Sequence, residues 1–65
     1  MLNANLKKTI ESTVKARLKF CDTKDDIQFY IDAAEKKQKR AIVGGNTYKM
    51  NQYKIELLEK AKNAL

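Results

Sequence analysis

Residues 39–50 read KRAIVGGNTYKM, and here the pattern of the chain changes from helical to β-compatible. Short β-compatible runs stand on both sides of Gly44, Gly45 and Asn46. Glycine tolerates the positive φ values that tight hairpin turns need. We therefore predict a short two-stranded antiparallel hairpin whose turn is formed by Gly44, Gly45 and Asn46.

The register of this hairpin depends on the length of its loop. A two-residue loop places Ile42 opposite Thr47, and a three-residue loop places Ile42 opposite Tyr48. The three-residue loop is favoured, because it gathers Ile42, Tyr48 and Met50 on one face and register follows the hydrophobic pattern. An isolated hairpin is marginal in water, so we expect this face to pack against helices.

The N-terminal part of the chain has a helical pattern over residues 3–20. Asn3 or Asn5 can serve as its N-cap. Apolar side chains recur there every three or four residues, a spacing that places them on one face of a helix. The members of this stripe are Leu6, Ile10, Val14, Leu18 and Cys21.

Residues 21–26 interrupt the first helical pattern, and a second helix is expected from about residue 24 to residue 38. Asp22 or Thr23 is a good N-cap, and acidic residues in the first turn suit the helix dipole. The expected buried stripe consists of Ile27, Tyr30, Ile31 and Ala34. Whether residues 3–38 form one bent helix or two stays open.

Asn51 is a sound N-cap for a last helix over residues 52–65. Its expected buried stripe consists of Tyr53, Leu57, Ala61 and Ala64. Ile55 falls off this face, so we expect it to be exposed. Residues 1–65 thus form one small α+β domain that is mostly α: one or two N-terminal helices, a hairpin and a C-terminal helix.

Residue composition argues against catalysis. The chain of 65 residues has one cysteine, Cys21, and no histidine. A lone cysteine cannot close an internal disulfide, and it suits a reducing cytosol. Without histidine, the usual zinc sites and the commonest general base are missing. We therefore expect no catalytic residue, no cofactor, no metal and no membrane insertion, and a protein that acts by binding.

The formal net charge of +6 is unevenly distributed along the chain. Residues 22–35 form an acidic island between two basic arms. Such a field attracts nucleic acid, and it also holds oppositely charged helices together. The densest basic run consists of Lys36, Lys37, Lys39 and Arg40, which we predict to face DNA without sequence preference.

Three segments carry a resemblance to a known family. They are YIDAAE at residues 30–35, AIVGGNTY at residues 41–48, and Asn51 followed by the amphipathic stretch 53–65. In this order the segments resemble the small head–tail joining proteins of tailed phages, of the lambda W type. The resemblance covers about residues 27–65.

The resemblance implies a structural protein of a phage head–tail connector. Such a protein docks between portal and tail components as a homo-oligomeric ring around the DNA channel. It is found in the host cytoplasm during assembly and then in the virion. Ring formation would also stabilise a 65-residue chain that can bury only a small core.

Two other functions compete with the connector. One is a small basic nucleic-acid-binding regulator, and the other is a phage-encoded inhibitor of a host protein. For a protein partner, the expected interface residues are Phe29 and Ile55, which lie on the flanks of their apolar stripes. Only the regulator should bind DNA alone with an affinity that falls steeply as salt rises.

Overall fold

Three helices make up 79% of residues 3–65, the part of the chain that the computed structural model describes. Helix α1 spans Ala4–Leu18, α2 spans Lys24–Arg40 and α3 spans Asn46–Asn63. No strand occurs among the described residues. None of these helices is long and apolar enough to cross a membrane.

The predicted hairpin is wrong, and with it the α+β fold class: the described chain is all-α. The two glycines do make a turn, but the turn joins two helices. Gly44 has a φ of +84°, and Gly45 donates a 2.9 Å backbone hydrogen bond to the Ile42 carbonyl. Gly45 is then the N-cap of α3, and Asn46 is its first residue.

A packing argument explains why the β-compatible residues become helical. Extending α3 back to Asn46 lets Tyr48 and Met50 pack partly against the helical bundle. Only Ile42 and Val43 are left in the connection, and they are 84% and 81% exposed. Tertiary packing of an amphipathic helix therefore outweighs the local β preference of a few residues.

Residues 3–38 form two helices rather than one, and each of the two begins with a side-chain cap. The Asn3 side chain accepts a 2.8 Å hydrogen bond from the Leu6 amide at the start of α1. Thr23 and Asp26 form a reciprocal capping box at the start of α2. Each cap satisfies amides that have no partner within the helix, and this fixes where each helix begins.

Helix α3 is the central element, because both other helices pack on it and scarcely contact each other. α2 and α3 are antiparallel. Near one end of the pair, Gln38 donates to Gln52 at 2.6 Å, and near the other end Lys62 donates to Gln28 at 2.6 Å. α1 packs on α3 beside α2, and Tyr53 of α3 donates a 2.7 Å hydrogen bond to Glu11 of α1.

The core is small and comes from all three helices. It consists of Ile10, Val14, Ile27, Ile31, Ala34, Ile55 and Leu58. The buried residues of α1 and α2 belong to the stripes predicted from the sequence, although Leu6, Leu18 and Tyr30 are only partly buried. The expected N-terminal boundary of the last helix is wrong, and so is the expected exposure of Ile55, which is only 6% exposed. Of the stripe expected on this helix, Tyr53, Leu57 and Ala61 are partly buried against the core, whereas Ala64 is exposed.

The buried position of Asn51 explains why the sequence pattern did not reveal the buried face of α3. It is not an N-cap but the sixth residue of α3, and it is only 7% exposed. Asn51, Ile55 and Leu58 follow the spacing of one helix face. The Asn51 side-chain amide donates a hydrogen bond to the carbonyl of Ala34 in α2, which satisfies a polar group inside the apolar seam.

We predict that Asn51→Asp strongly destabilises the fold. The carboxylate has the same shape but no N–H to donate, so it would place a buried negative charge against the Ala34 carbonyl. An unsatisfied buried group costs about 1–3 kcal/mol, and more when it is charged. Urea denaturation followed by circular dichroism should show a midpoint far below that of the original chain.

The matched control is Asn46→Asp, which makes the same chemical change at an exposed residue in the first turn of α3. There a negative charge meets the positive end of the helix dipole, so stability should stay equal or rise slightly. Equal urea midpoints for the two variants would contradict the role of Asn51 in joining α2 to α3.

The cap of α2 should make stability depend on acidity. Hydrogen bonds from the Asp22 and Thr23 backbone amides lower the pKa of Asp26 below its ordinary value of 3.8. A carboxyl whose pKa is lowered by folding stabilises above its unfolded pKa and loses this effect as pH falls through the folded pKa. Asp26→Asn should therefore lower the urea midpoint at neutral pH and flatten its decline below about pH 3.8. The control is Asp25→Asn, which lies in the same turn but outside the capping box, so its urea midpoint should fall with decreasing pH as that of the original chain does.

Candidate functional site

A groove opens between α1 and α2, because these helices pack on α3 and scarcely on each other. Two adjoining cavities of about 320 and 250 Å³ lie along it. Both are lined by Lys37, Asn51 and Lys54, and we call the pair the cationic groove. α3 supplies its floor, and α1 and α2 supply its walls.

The larger cavity holds hydroxyl groups, and the smaller one holds aromatic rings. Thr9, Thr13 and Thr47 line the larger cavity. The hydroxyls of Thr9 and Thr13 each donate a 3.0 Å hydrogen bond to the carbonyl four residues earlier in α1. Because these two donors are already used, the charged side chains are the main groups in the groove that could bind an anion.

Each helix contributes one cation to the smaller cavity: Arg17 from α1, Lys37 from α2 and Lys54 from α3. The Arg17 guanidinium lies 5.6 Å from the centroid of the Tyr30 ring, a cation–π contact that holds it at the wall. No carboxylate is among the described residues that line either cavity. The groove is therefore a concentration of positive charge without a local counter-charge.

The charge of Lys54 is disfavoured by its surroundings. Burial lowers the pKa of Lys54 below its ordinary value of 10.5, and the charges of Arg17 and Lys37 lower it further. Its ammonium group is thus partly removed from water while it faces two other cations. An anion in the groove would relieve both effects, because it would supply the missing counter-charge.

Of the predicted DNA-facing residues, only Lys37 lies in the groove. Lys39 lines a third cavity between α2 and α3, together with Glu35 and Glu59. Lys36 and Arg40 are exposed on the last turns of α2. The basic run in the sequence therefore splits around the helix, because residues adjacent in a helix do not share a face.

No motif in the sequence singles out Arg17 or Lys54. They are single basic residues on separate helices, and they flank apolar stripes in the same way as many solvated lysines do. Only the packing of α1 and α2 on α3 brings them to the same cavity as Lys37. The one available signal was that each lies three or four residues from a core residue, Val14 and Leu58 respectively.

The two expected protein-interface residues differ in position. Phe29 is 70% exposed on α2 and lines the smaller cavity. Ile55 belongs to the core, so the prediction that it is exposed is wrong. The large apolar side chains exposed elsewhere are Phe20, Ile42, Val43 and Leu65.

Cys21 lies outside the groove and is partly buried against the core. Burial raises the pKa of its thiol, and the carboxylates of Asp26 and Asp22 raise it further. The thiolate is the nucleophilic form of cysteine, so these surroundings disfavour reactivity. Among the described residues, no group of three or more His, Cys, Asp or Glu is placed to hold a metal ion.

We predict that Lys54→Met raises stability at neutral pH and low ionic strength. Methionine keeps an apolar side chain of similar length and removes the charge that faces Arg17 and Lys37. Because folding lowers the pKa of Lys54, the penalty is present below that pKa and fades as pH rises towards 10.5. The urea midpoint of Lys54→Met should be higher than that of the original chain, and this difference should decrease as salt is added.

The matched control is Lys60→Met, which removes a charge from an exposed residue in the last turn of the same helix. A cation there suits the helix dipole, so its loss should leave stability unchanged or slightly reduced. A lower midpoint for Lys54→Met than for Lys60→Met would show that Lys54 is not under electrostatic strain.

Comparisons of the chain with protein-family models, with curated proteins and with solved structures find no match. The candidate site consequently stands on its own geometry. The feature that defines it is the convergence of Arg17, Lys37 and Lys54 from three helices on one cavity.

Proposed function

We propose that the protein is a non-catalytic binding module that holds nucleic acid by its phosphate backbone in the cationic groove. The observation that carries this proposal is the meeting of Arg17, Lys37 and Lys54 in a cavity that no carboxylate of residues 3–65 lines. Phosphates are the charges that such a set of cations neutralises. Contacts of this kind position a strand but do not read its sequence.

The energetics of the groove support a ligand rather than a purely structural role. Basic side chains with a structural role usually point into water or pair with an acid. Lys54 instead lies partly buried beside two like charges, an arrangement that disfavours its charged form. Sites that bind often keep a feature that is unfavourable for folding alone, because the ligand compensates it.

The rest of the surface supports attraction of a polyanion. The net charge is +6, and Arg40 follows Lys37 by three residues, so both lie on the same side of α2. Lys36 and Arg40, both exposed in the last turns of α2, add further positive charge to that end of the helix. Such a field raises the rate at which a charged strand meets the protein.

The connector function remains a second candidate, although the hairpin that supported its resemblance is wrong. The observation in its favour is the exposure of Ile42 and Val43 in the connection between α2 and α3. A portal or tail-joining protein, or a neighbouring copy in a ring, would cover these apolar side chains. Nucleic acid in the groove is compatible with this candidate, since a connector surrounds DNA.

The proposed function predicts salt-dependent binding that requires the three cations. Fluorescence anisotropy with short labelled single-stranded and duplex DNA should show binding that weakens between about 50 and 200 mM salt. The triple variant Arg17→Gln, Lys37→Gln, Lys54→Met should bind much more weakly. Its plot of log affinity against log salt should be shallower by about 2–3, because about 0.7–0.9 is lost for each phosphate contact.

A second triple variant serves as the matched control: Lys24→Gln, Lys39→Gln and Lys60→Gln. It removes the same net charge from exposed residues outside the groove. Equal affinity losses in the two triple variants would mean that only net charge matters, and the groove would not be the site. Light scattering in the same series separates the second candidate, which would form rings or defined complexes whether or not the groove cations are present.

A further inference from the structure

Phe29 is the one large exposed apolar side chain that lines the cationic groove in the described part of the chain. Its ring stands edge-on to Tyr30, with centroids 5.7 Å apart and an angle of 80° between the planes. The Arg17 guanidinium lies over the same Tyr30 ring. An exposed aromatic ring is therefore held beside a cation within one cavity.

Exposed aromatic rings are common on protein surfaces, so exposure alone assigns nothing to Phe29. What matters is its combination with the three cations around one cavity of about 250 Å³. This cavity has room for one planar group, and it continues into the adjoining cavity of about 320 Å³. The two together form an extended track in which a phosphate chain attached to that group can continue.

The width of the groove limits what can enter it. Packed helices lie about 8–10 Å apart, so the axes of α1 and α2, both packed on α3, are at most about 20 Å apart. Each helix with its side chains fills about 10–12 Å, which leaves a gap of about 10 Å at most. A DNA duplex, whose major groove alone is about 12 Å wide, is too broad to reach the floor.

We infer that the nucleic acid held in this groove is single-stranded, with its phosphates beside Arg17, Lys37 and Lys54 and one base stacked on Phe29. The inference rests on the proposed function and names its substrate class. Only a single strand offers base faces for stacking, since a duplex covers them with neighbouring bases. Stacking on an aromatic side chain beside a cationic track is the usual chemistry of single-strand binding.

The test compares Phe29→Leu with the original chain on four short labelled ligands: a single strand, a duplex, an abasic strand and single-stranded RNA. Leucine keeps apolar bulk but removes the flat ring. Affinity for the single-stranded DNA and for the single-stranded RNA should each fall about 5- to 100-fold, as expected for the loss of one stacked base. Affinity for the duplex and for the abasic strand should not change.

Two further variants complete the test. Phe29→Tyr keeps the ring and should retain single-strand affinity. Phe20→Leu removes a ring that is 79% exposed and does not line the groove, and it should bind as the original chain does. Both Phe29 and Phe20 are exposed, so circular dichroism should show an unchanged helical fold in all three variants.

The outcomes separate the inference from the proposed function. If Phe29→Leu binds the single strand as well as Phe20→Leu does, or if the original chain prefers the duplex, the single-strand inference is overturned. In that case salt-dependent binding that still needs the groove cations would leave the proposed function standing. If no nucleic acid binds at any salt concentration, both fail.

Discussion

The hydrogen bond from Asn51 to the Ala34 carbonyl fixes how α2 and α3 fit together, and the rest of the molecule depends on that fit. Seven apolar side chains form the whole buried core of the described chain, so few contacts define the register of the helices. A buried amide that finds its partner at one register, and at no other, adds specificity that apolar packing alone does not supply. With this pair of helices in register, α1 has one apolar surface left to cover.

The groove is a consequence of this arrangement. Three helices can form a closed bundle, but here α1 and α2 both use α3 and leave a space between themselves. The space exposes Lys54 on the floor and Arg17 and Lys37 on the walls. A 65-residue chain has little stability to spare, and it nevertheless keeps three like charges together. The repulsion among these three charges, which disfavours folding, distinguishes this surface from the other basic parts of the molecule.

The helical stripes of α1 and α2 were readable because their apolar spacing is regular and both helices begin with capping side chains. Ile10, Val14, Ile27, Ile31 and Ala34 were predicted from spacing and are buried. The wrong hairpin and the wrong start of α3 have one origin. A capping asparagine and a buried asparagine look alike in a sequence, so the pattern at Asn51 favours a helix that begins there. The residues before Asn51 are then left outside the helix, where their β-compatible pattern favours a hairpin. Local β preference at Ile42 and Val43 supported that interpretation, whereas in the structure these side chains are exposed.

Composition and local pattern are enough to establish that the chain is basic and mostly helical, lacks histidine, and has a turn at Gly44 and Gly45. These properties follow from composition, from spacing along single helices and from the local geometry of glycine, none of which needs a distant residue. Three other features depend on how the helices pack: the turn joins helices, Ile55 is buried, and Arg17, Lys37 and Lys54 share a cavity. Residues far apart in the chain meet through the packing of α1 and α2 on α3, and a pattern read along one helix contains no information about its neighbours.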